Sequence, residues 1–166
     1  MSTTSEPRPF VLSIKPTYVG RILAGEKTVE LRRRFPELSR TGRSALIYST
    51  SPVQTIVAAV RVATVFKLSL PRLWRLHGRE AAVSRAEFDR YFAGLDSGSA
   101  LLLRDVRLLQ NPLHLTELAA EFEFSPPQSY CYWKTSMEEL VAHGRVKATA
   151  GYKHSDRPGG LQAAIG

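Results

Sequence analysis

The feature that most constrains the fold is the order in which two periodicities follow one another along the chain. Period-two runs come first, helical spacings fill the middle, and further period-two runs return late. In "PFVLSIK", Phe10, Leu12 and Ile14 share one face and Val11, Ser13 and Lys15 the other, which predicts a half-buried strand. "PTYVGRILAG" carries Val19, Ile22 and Leu23 at helical spacing, with Pro16 in the first turn and Gly25 as a stop. "KTVELRR" alternates again, with Val29, Leu31 and Arg33 on one side and Thr28, Glu30 and Arg32 on the other. After a turn at Thr41 and Gly42, "RSALIYST" and the β-branched run from about 54 to 66 predict two more strands.

Two helices are then expected, "LPRLWRLHG" and "SRAEFDRYFAG". In the second, Ser84 and Glu87 have the spacing of a capping box. "SGSALLLRDVRLL" reads as a strand and "HLTELAAEF" as a short helix capped by Thr116. "SPPQSYCYW" is extended, because its two prolines bar helix, and "TSMEELVAHG" is a final amphipathic helix. Strands early and late with helices between them predict an α+β domain, with a mainly antiparallel sheet curled into a small barrel. The regular β-α alternation of a doubly wound sheet is absent, as is a glycine-rich phosphate loop. The expected organisation is a flexible N-terminus over residues 1–8, one domain over 9–146 and a flexible tail over 147–166, rich in Gly, Ala and charge.

At 166 residues the chain is long enough to bury a core. Its 23 Lys and Arg outnumber 15 Asp and Glu, a formal charge of +8 that draws polyanions. A single cysteine, Cys131, leaves no disulfide partner, fits a reducing compartment and reads as a packed thiol. No apolar run is long enough to cross a membrane, and "MSTTSEPRPF" lacks a hydrophobic signal core, so a cytoplasmic protein is expected. His77, His114, His143 and His154 are scattered without metal-ligand spacing, so neither a metal nor another cofactor is expected. His77 and His143 precede helix-ending glycines, where a histidine eases the helix dipole.

What remains is "GEKTVELRRR", residues 25–34. Thr28, Glu30 and Arg32 share a strand face, Lys27 starts that strand, and Lys15 ends the preceding one. A solvated, salt-bridged edge strand would account for them. The functional alternative is the wall of a cleft. There Lys and Arg hold phosphate or a base edge, and the carboxylate accepts from a nucleobase amino group or acts as a base. Arg33 and Arg34, with Arg40 and Arg43, are candidate phosphate contacts. Tyr130, Tyr132 and Trp133 are either core aromatics or a platform for stacking a base.

The stretch "VLSIKPTYVGRILAGEKTVELRRRFP" resembles the opening of an ASCH domain, of the PUA-like group. That group's hallmark is a helix followed by G-x-K-x-x-E-x-R entering a strand, here Gly25, Lys27, Glu30 and Arg32. "ALIYSTSPVQTIVAAVRV" and "FSPPQSYCY" agree further, so the resemblance spans residues 10 to about 133. It implies a small β-barrel with flanking helices and a nucleic-acid-binding cleft beside the motif strand, RNA being the expected partner. The binding residues it implies are Lys15, Lys27, Thr28, Glu30, Arg32, Arg33, Arg34, Ser49, Ser129 and Tyr130.

Some similar domains are enzymes. One branch hydrolyses the acetyl-amide of acetylcytidine with a lysine, a threonine and a glutamate, and another member is a metal-assisted ribonuclease. Lys27 matches that lysine, but Glu30 stands where the threonine would be, and Glu80 in "HGREA" only neighbours the glutamate position. The first expectation is therefore an RNA-binding or other nucleic-acid-binding module, with hydrolysis of acetylcytidine absent or slow. The second is a hydrolase acting on RNA or on a modified nucleoside, with Lys27 and Glu30 as its polar pair. A module that binds a protein partner through its basic surface is the third class.

Overall fold

The computed structural model describes residues 8–38 and 42–134. The helix expected in "TSMEELVAHG", Thr41, Arg40, His143, His154 and the C-terminal tail lie outside these residues. Six strands and four helices follow one another as β1 (Phe10–Ile14), α1 (Pro16–Leu23), β2 (Val29–Arg32), β3 (Arg43–Ser49), β4 (Thr55–Ser69), α2 (Leu70–His77), α3 (Arg85–Tyr91), β5 (Ser97–His114), α4 (Leu115–Phe122) and β6 (Tyr130–Tyr132). They form one curled, barrel-like sheet of order β2-β5-β4-β3-β1-β6. Its pairings are antiparallel except β1 with β3. The expected α+β class and mainly antiparallel barrel are what the chain adopts.

The strands differ from the sequence reading in extent and burial. β1 is buried on both faces rather than half-buried. Phe10, Leu12 and Ile14 enter the barrel core with Ala45, Ile47, Val60 and Leu101, while Val11 packs on the other side with Leu46, Tyr48 and Trp133. The reason is its position between β3 and β6, under an outer layer that includes Leu118 of α4 and Trp133. β4 and β5 are longer than their alternation suggested and form a ribbon with three register shifts. One shift falls between the Ala58–Leu108 and Ile56–Leu113 pairs, and Pro112, which has no N–H to give, sits inside it.

The helices stop and start for local reasons. Gly25 takes φ +75° after α1, and its N–H returns to the Ile22 carbonyl. Ser84 and Glu87 make the expected capping box at α3. At α4 the cap is His114, not Thr116. Glu117 accepts from the His114 N–H at 3.1 Å, and His114 Nδ1 accepts from the Thr116 N–H at 3.3 Å. The helix begins one residue later than the cap, at Leu115, so Thr116 is already inside its first turn. α2 and α3 cover a third apolar layer built on Val29, Leu31, Leu73, Phe88, Phe92 and Ala100.

Candidate functional site

The two edges of the sheet, β2 and β6, meet without a backbone ladder between them. The side chain of Arg32 crosses this seam. It donates from Nη2 to the Ser13 carbonyl at 3.0 Å, and from Nη1 to the Ser129 carbonyl at 2.9 Å and the Ser129 hydroxyl at 3.2 Å. The Ser129 carbonyl also accepts from the Ser13 N–H, and the Ser13 hydroxyl donates to the Pro127 carbonyl at 2.7 Å. Phe35, just past β2, packs against Tyr130 of β6 with ring centroids 4.7 Å apart. A polar clamp and an aromatic contact therefore close the barrel.

Beside the clamp lies a charged trio. Glu30 Oε1 is 3.1 Å from Arg32 Nη2, and Glu30 Oε2 is 3.2 Å from Lys27 Nζ. Glu30 and Arg32 meet because residues two apart on a strand share a face. Lys27 arrives from the turn after α1, where its ammonium also donates to the Ala81 carbonyl at 2.7 Å and lies 5.5 Å from the Tyr18 ring. Of the two readings of this strand, the solvated edge does not hold. Lys27 is 3%, Arg32 4% and Glu30 8% exposed. Buried charges persist only when paired, and here two cations flank one carboxylate. The pairing is complete save for one group: the Arg32 Nε is buried and has no acceptor. Within the trio the Glu30 side chain is the most open, at 11%, against 2% for Lys27 and 4% for Arg32.

Three further side chains join this site, and sequence reasoning missed all three. Tyr18 of α1 donates from its hydroxyl to Glu87 Oε1 at 2.9 Å. The Ser84 N–H and then the Tyr18 hydroxyl hold the Glu87 carboxyl low, at about 2. Burial, then the bond to Glu87, raises the Tyr18 phenol. Tyr91 of α3 meets the backbone of Arg33 and lies within the field of Arg32 and Glu30, and burial raises its phenol too. The Ser84–Glu87 capping box was visible in the sequence, but as a purely local device.

The other expected site residues fall elsewhere. Thr28 enters through its backbone, its N–H bonding the Glu80 carbonyl and its carbonyl accepting from Leu103. Lys15 is exposed and gives its carbonyl to the start of α1. Ser49 is buried at the end of β3 opposite Ile14 and Thr55, outside the trio. Glu80 turns its carboxylate to His77, at 3.2 Å, away from Lys27. Tyr130 packs between Phe10 and Phe35, and Trp133 is buried against Phe122 and Phe124, so neither stands free to stack a base. Tyr132 is 53% exposed, with the Arg43 guanidinium 6.0 Å from its ring. Arg33 and Arg34 are exposed just past the end of β2, and Arg33 reaches the Ala93 carbonyl at 3.3 Å. Among the described residues no group of His, Cys, Asp and Glu is arranged to hold a metal ion, and no helix is long and apolar enough to cross a membrane.

Comparison with known proteins gives this geometry a context. The family model described as ASCH domain matches residues 12–138. A protein of Zymomonas mobilis named "ASCH domain-containing ribonuclease" is 32% identical over 144 residues, 86% of this chain and 96% of that one. The crystal structure of ASCH from Zymomonas mobilis superposes with a TM-score of 0.73 at 33% identity, covering 81% of this chain and 94% of that one. The N-terminal domain of McrB from Staphylothermus marinus shares the fold alone, with a TM-score of 0.52 at 13% identity over 85% of this chain and 96% of that one.

Proposed function

The chain belongs to the ASCH domain family, and on that premise we propose that it binds RNA at the barrel seam and cleaves it. The observation that carries this reading is the trio itself. A carboxylate edge is its most open part, and a neighbouring guanidinium keeps one unfilled N–H. That combination suits a partner offering both a hydroxyl or amino donor and an oxygen acceptor, as a ribonucleotide does through its 2′-hydroxyl and its phosphate or base oxygens. The ribonuclease name of the Zymomonas mobilis relative, 96% of whose length this chain matches, supports an RNA-directed activity, of which cleavage is the form proposed.

The chemistry follows from the roles these groups can play. Attack of a 2′-hydroxyl on the adjacent phosphorus forms a 2′,3′-cyclic phosphate and breaks the bond to the 5′-oxygen of the next nucleotide. Glu30, the carboxylate of the trio, takes the hydroxyl proton, and the departing oxygen takes a proton from water. The negative charge that builds on the phosphate oxygens is offset by the fixed positive charges of Lys27 and Arg32 behind Glu30. Ser129 holds the Arg32 guanidinium by both its carbonyl and its hydroxyl, so it sets the direction of that donor.

The test is incubation of end-labelled RNA and of DNA of the same sequence with the protein. Cleavage of RNA with DNA left intact is expected, because DNA lacks the attacking hydroxyl. Ser129→Ala removes one bond to Arg32 and is expected to slow cleavage while the fold persists. Intact RNA after incubation under conditions where it binds would reduce the reading to a binding module. Acetate release from acetylcytidine is the parallel assay for a nucleoside hydrolase, and little or none is expected, since Glu30 replaces the hydroxyl nucleophile.

A further inference from the structure

A pocket of about 470 Å³ opens past the end of β2, lined by Arg33, Arg34, Phe35, Lys67 and residues 94–99, the turn into β5 and its first three residues. This is a volume typical of ligand sites. Its placement follows from strand register. Arg32 of β2 pairs with Ser99 of β5, and Ser99 pairs with Lys67 of β4. Directly paired residues share a sheet face, so Lys67, Ser99 and Arg32 form one row that runs from the pocket to the seam clamp. Phe35 belongs to both, lining the pocket and packing on Tyr130 across the seam.

The pocket's charge is unbalanced. Arg33, Arg34 and Lys67 face one carboxylate in the lining, Asp96. No carboxylate among the described residues lies within ion-pair distance of any of the three cations. The floor is fixed. The Leu70 N–H holds the Asp96 carbonyl at 3.0 Å, and the Leu95 N–H holds the Phe92 carbonyl at 3.0 Å. A Cβ on Gly98 would fall 2.3 Å from the Phe92 ring, so only glycine lets the start of β5 lie against Phe92, the residue after α3.

We infer that this pocket is a phosphate site, which holds an RNA phosphate next to the nucleotide engaged at the seam. The inference rests on the RNA reading above and gives it a second anchor. The seam's cations, Lys27 and Arg32, are already engaged by Glu30, whereas the pocket presents three cations without an ion-pair partner, one of them, Lys67, on the row that leads to the seam. A single strand passing from one to the other would meet the cleavage site and then a holding site for a neighbouring phosphate.

Two measurements separate the inference from its premise. In the first, inorganic phosphate is titrated into the protein while the backbone amide resonances of Asp96 to Ser99 are followed by NMR. Saturable shifts are expected, absent in the Arg34→Ala/Lys67→Ala protein and tighter in Asp96→Asn. Both cations are exposed, so folding should be kept, and the Arg34→Gln/Lys67→Gln protein repeats the test with bulk retained. In the second, a fluorescent single-stranded RNA is bound at several salt concentrations. The double variant is expected to bind about tenfold more weakly. It should also lose roughly 0.7 from the salt slope for each phosphate contact removed. Amides that do not respond to phosphate, or respond equally in the double variant, would overturn the inference even if RNA binds. Phosphate bound at the loop by a protein that ignores RNA would uphold the phosphate site and remove the RNA reading.

Discussion

Arg32 and Arg33 are adjacent in the chain and belong to opposite kinds of site. Arg32 is 4% exposed and is fixed by Glu30, Ser13 and Ser129. Arg33 is exposed, and its bond is a long one to the Ala93 carbonyl. The seam around Arg32 uses its charges to close the barrel, so a ligand there can take only the donor and acceptor capacity left over. The pocket around Arg33, Arg34 and Lys67 is held by backbone hydrogen bonds and by Gly98, which leaves its cations free for an anion. In a small basic domain, then, the number of arginines says less about binding than which of them the fold has already engaged.

The largest expected effect tests the seam's double role. Glu30→Ala leaves Lys27 and Arg32 buried without their shared carboxylate. Breaking a buried pair in this way costs about 3–5 kcal/mol, against about 0–1 kcal/mol for an exposed one. Thermal or urea unfolding should show that loss clearly. A Glu30→Ala protein as stable as the parent would mean that the trio is not structural, and the contrast with the pocket would collapse.

Next in size is the pocket floor. Gly98→Ala drives a methyl into the Phe92 ring, with Leu73 3.1 Å away on the same side. Overpacking of this sort typically costs about 1–3 kcal/mol. Denaturant unfolding should report it, together with weaker phosphate binding as the loop lifts. A stable variant with unchanged phosphate binding would show that the floor is compliant.

A smaller effect is expected in acid. Glu87 titrates at about 2 in the fold, down from an ordinary 4.5, because the Ser84 N–H and the Tyr18 hydroxyl stabilise its charged form. A depressed carboxyl contributes stability that is complete above 4.5 and is lost as pH falls from there through about 2. Stability measured across that window should decline less steeply in Glu87→Gln than in the parent. Because Glu87 ties α3 to α1 through Tyr18, equal slopes would indicate that the contact does not couple the two helices.

Much of this architecture was legible in the chain. Alternation and stop residues placed the strands and helices, and G-x-K-x-x-E-x-R placed Lys27, Glu30 and Arg32 together, because strand geometry puts positions two apart on one face. Their burial was not legible. It depends on Ser129, 97 positions from Arg32, and on a seam that exists only once six strands have curled. Tyr18 and Tyr91 were equally hidden, since neither α1 nor α3 announces in its own periodicity that it will face β2. Lys67 lies just past the β-branched run expected from about 54 to 66, and its link to Arg32 needs the β2-β5-β4 register. Trp133 takes the core reading of the two that the sequence left open, its ring 2% exposed, because α4 and Phe124 cover the extended segment that carries it.

The smallest expected effect on stability is also the sharpest test of the contrast. Arg33→Ala/Arg34→Ala removes two exposed side chains whose described partners amount to one long bond to Ala93. Surface changes of this kind usually stay within about 0.5 kcal/mol of the parent. Affinity for RNA should nevertheless fall evenly across sequences, because phosphate contacts carry no base information. The salt slope should drop by about 1.4, the value for two single-strand phosphate contacts at roughly 0.7 each. Glu30→Ala is expected to do the opposite, with a large loss of stability and a salt slope close to the parent's among molecules that remain folded. If the double variant unfolds readily, or if both proteins lose the same salt slope, seam and pocket are one electrostatic surface and the division drawn between Arg32 and Arg33 fails.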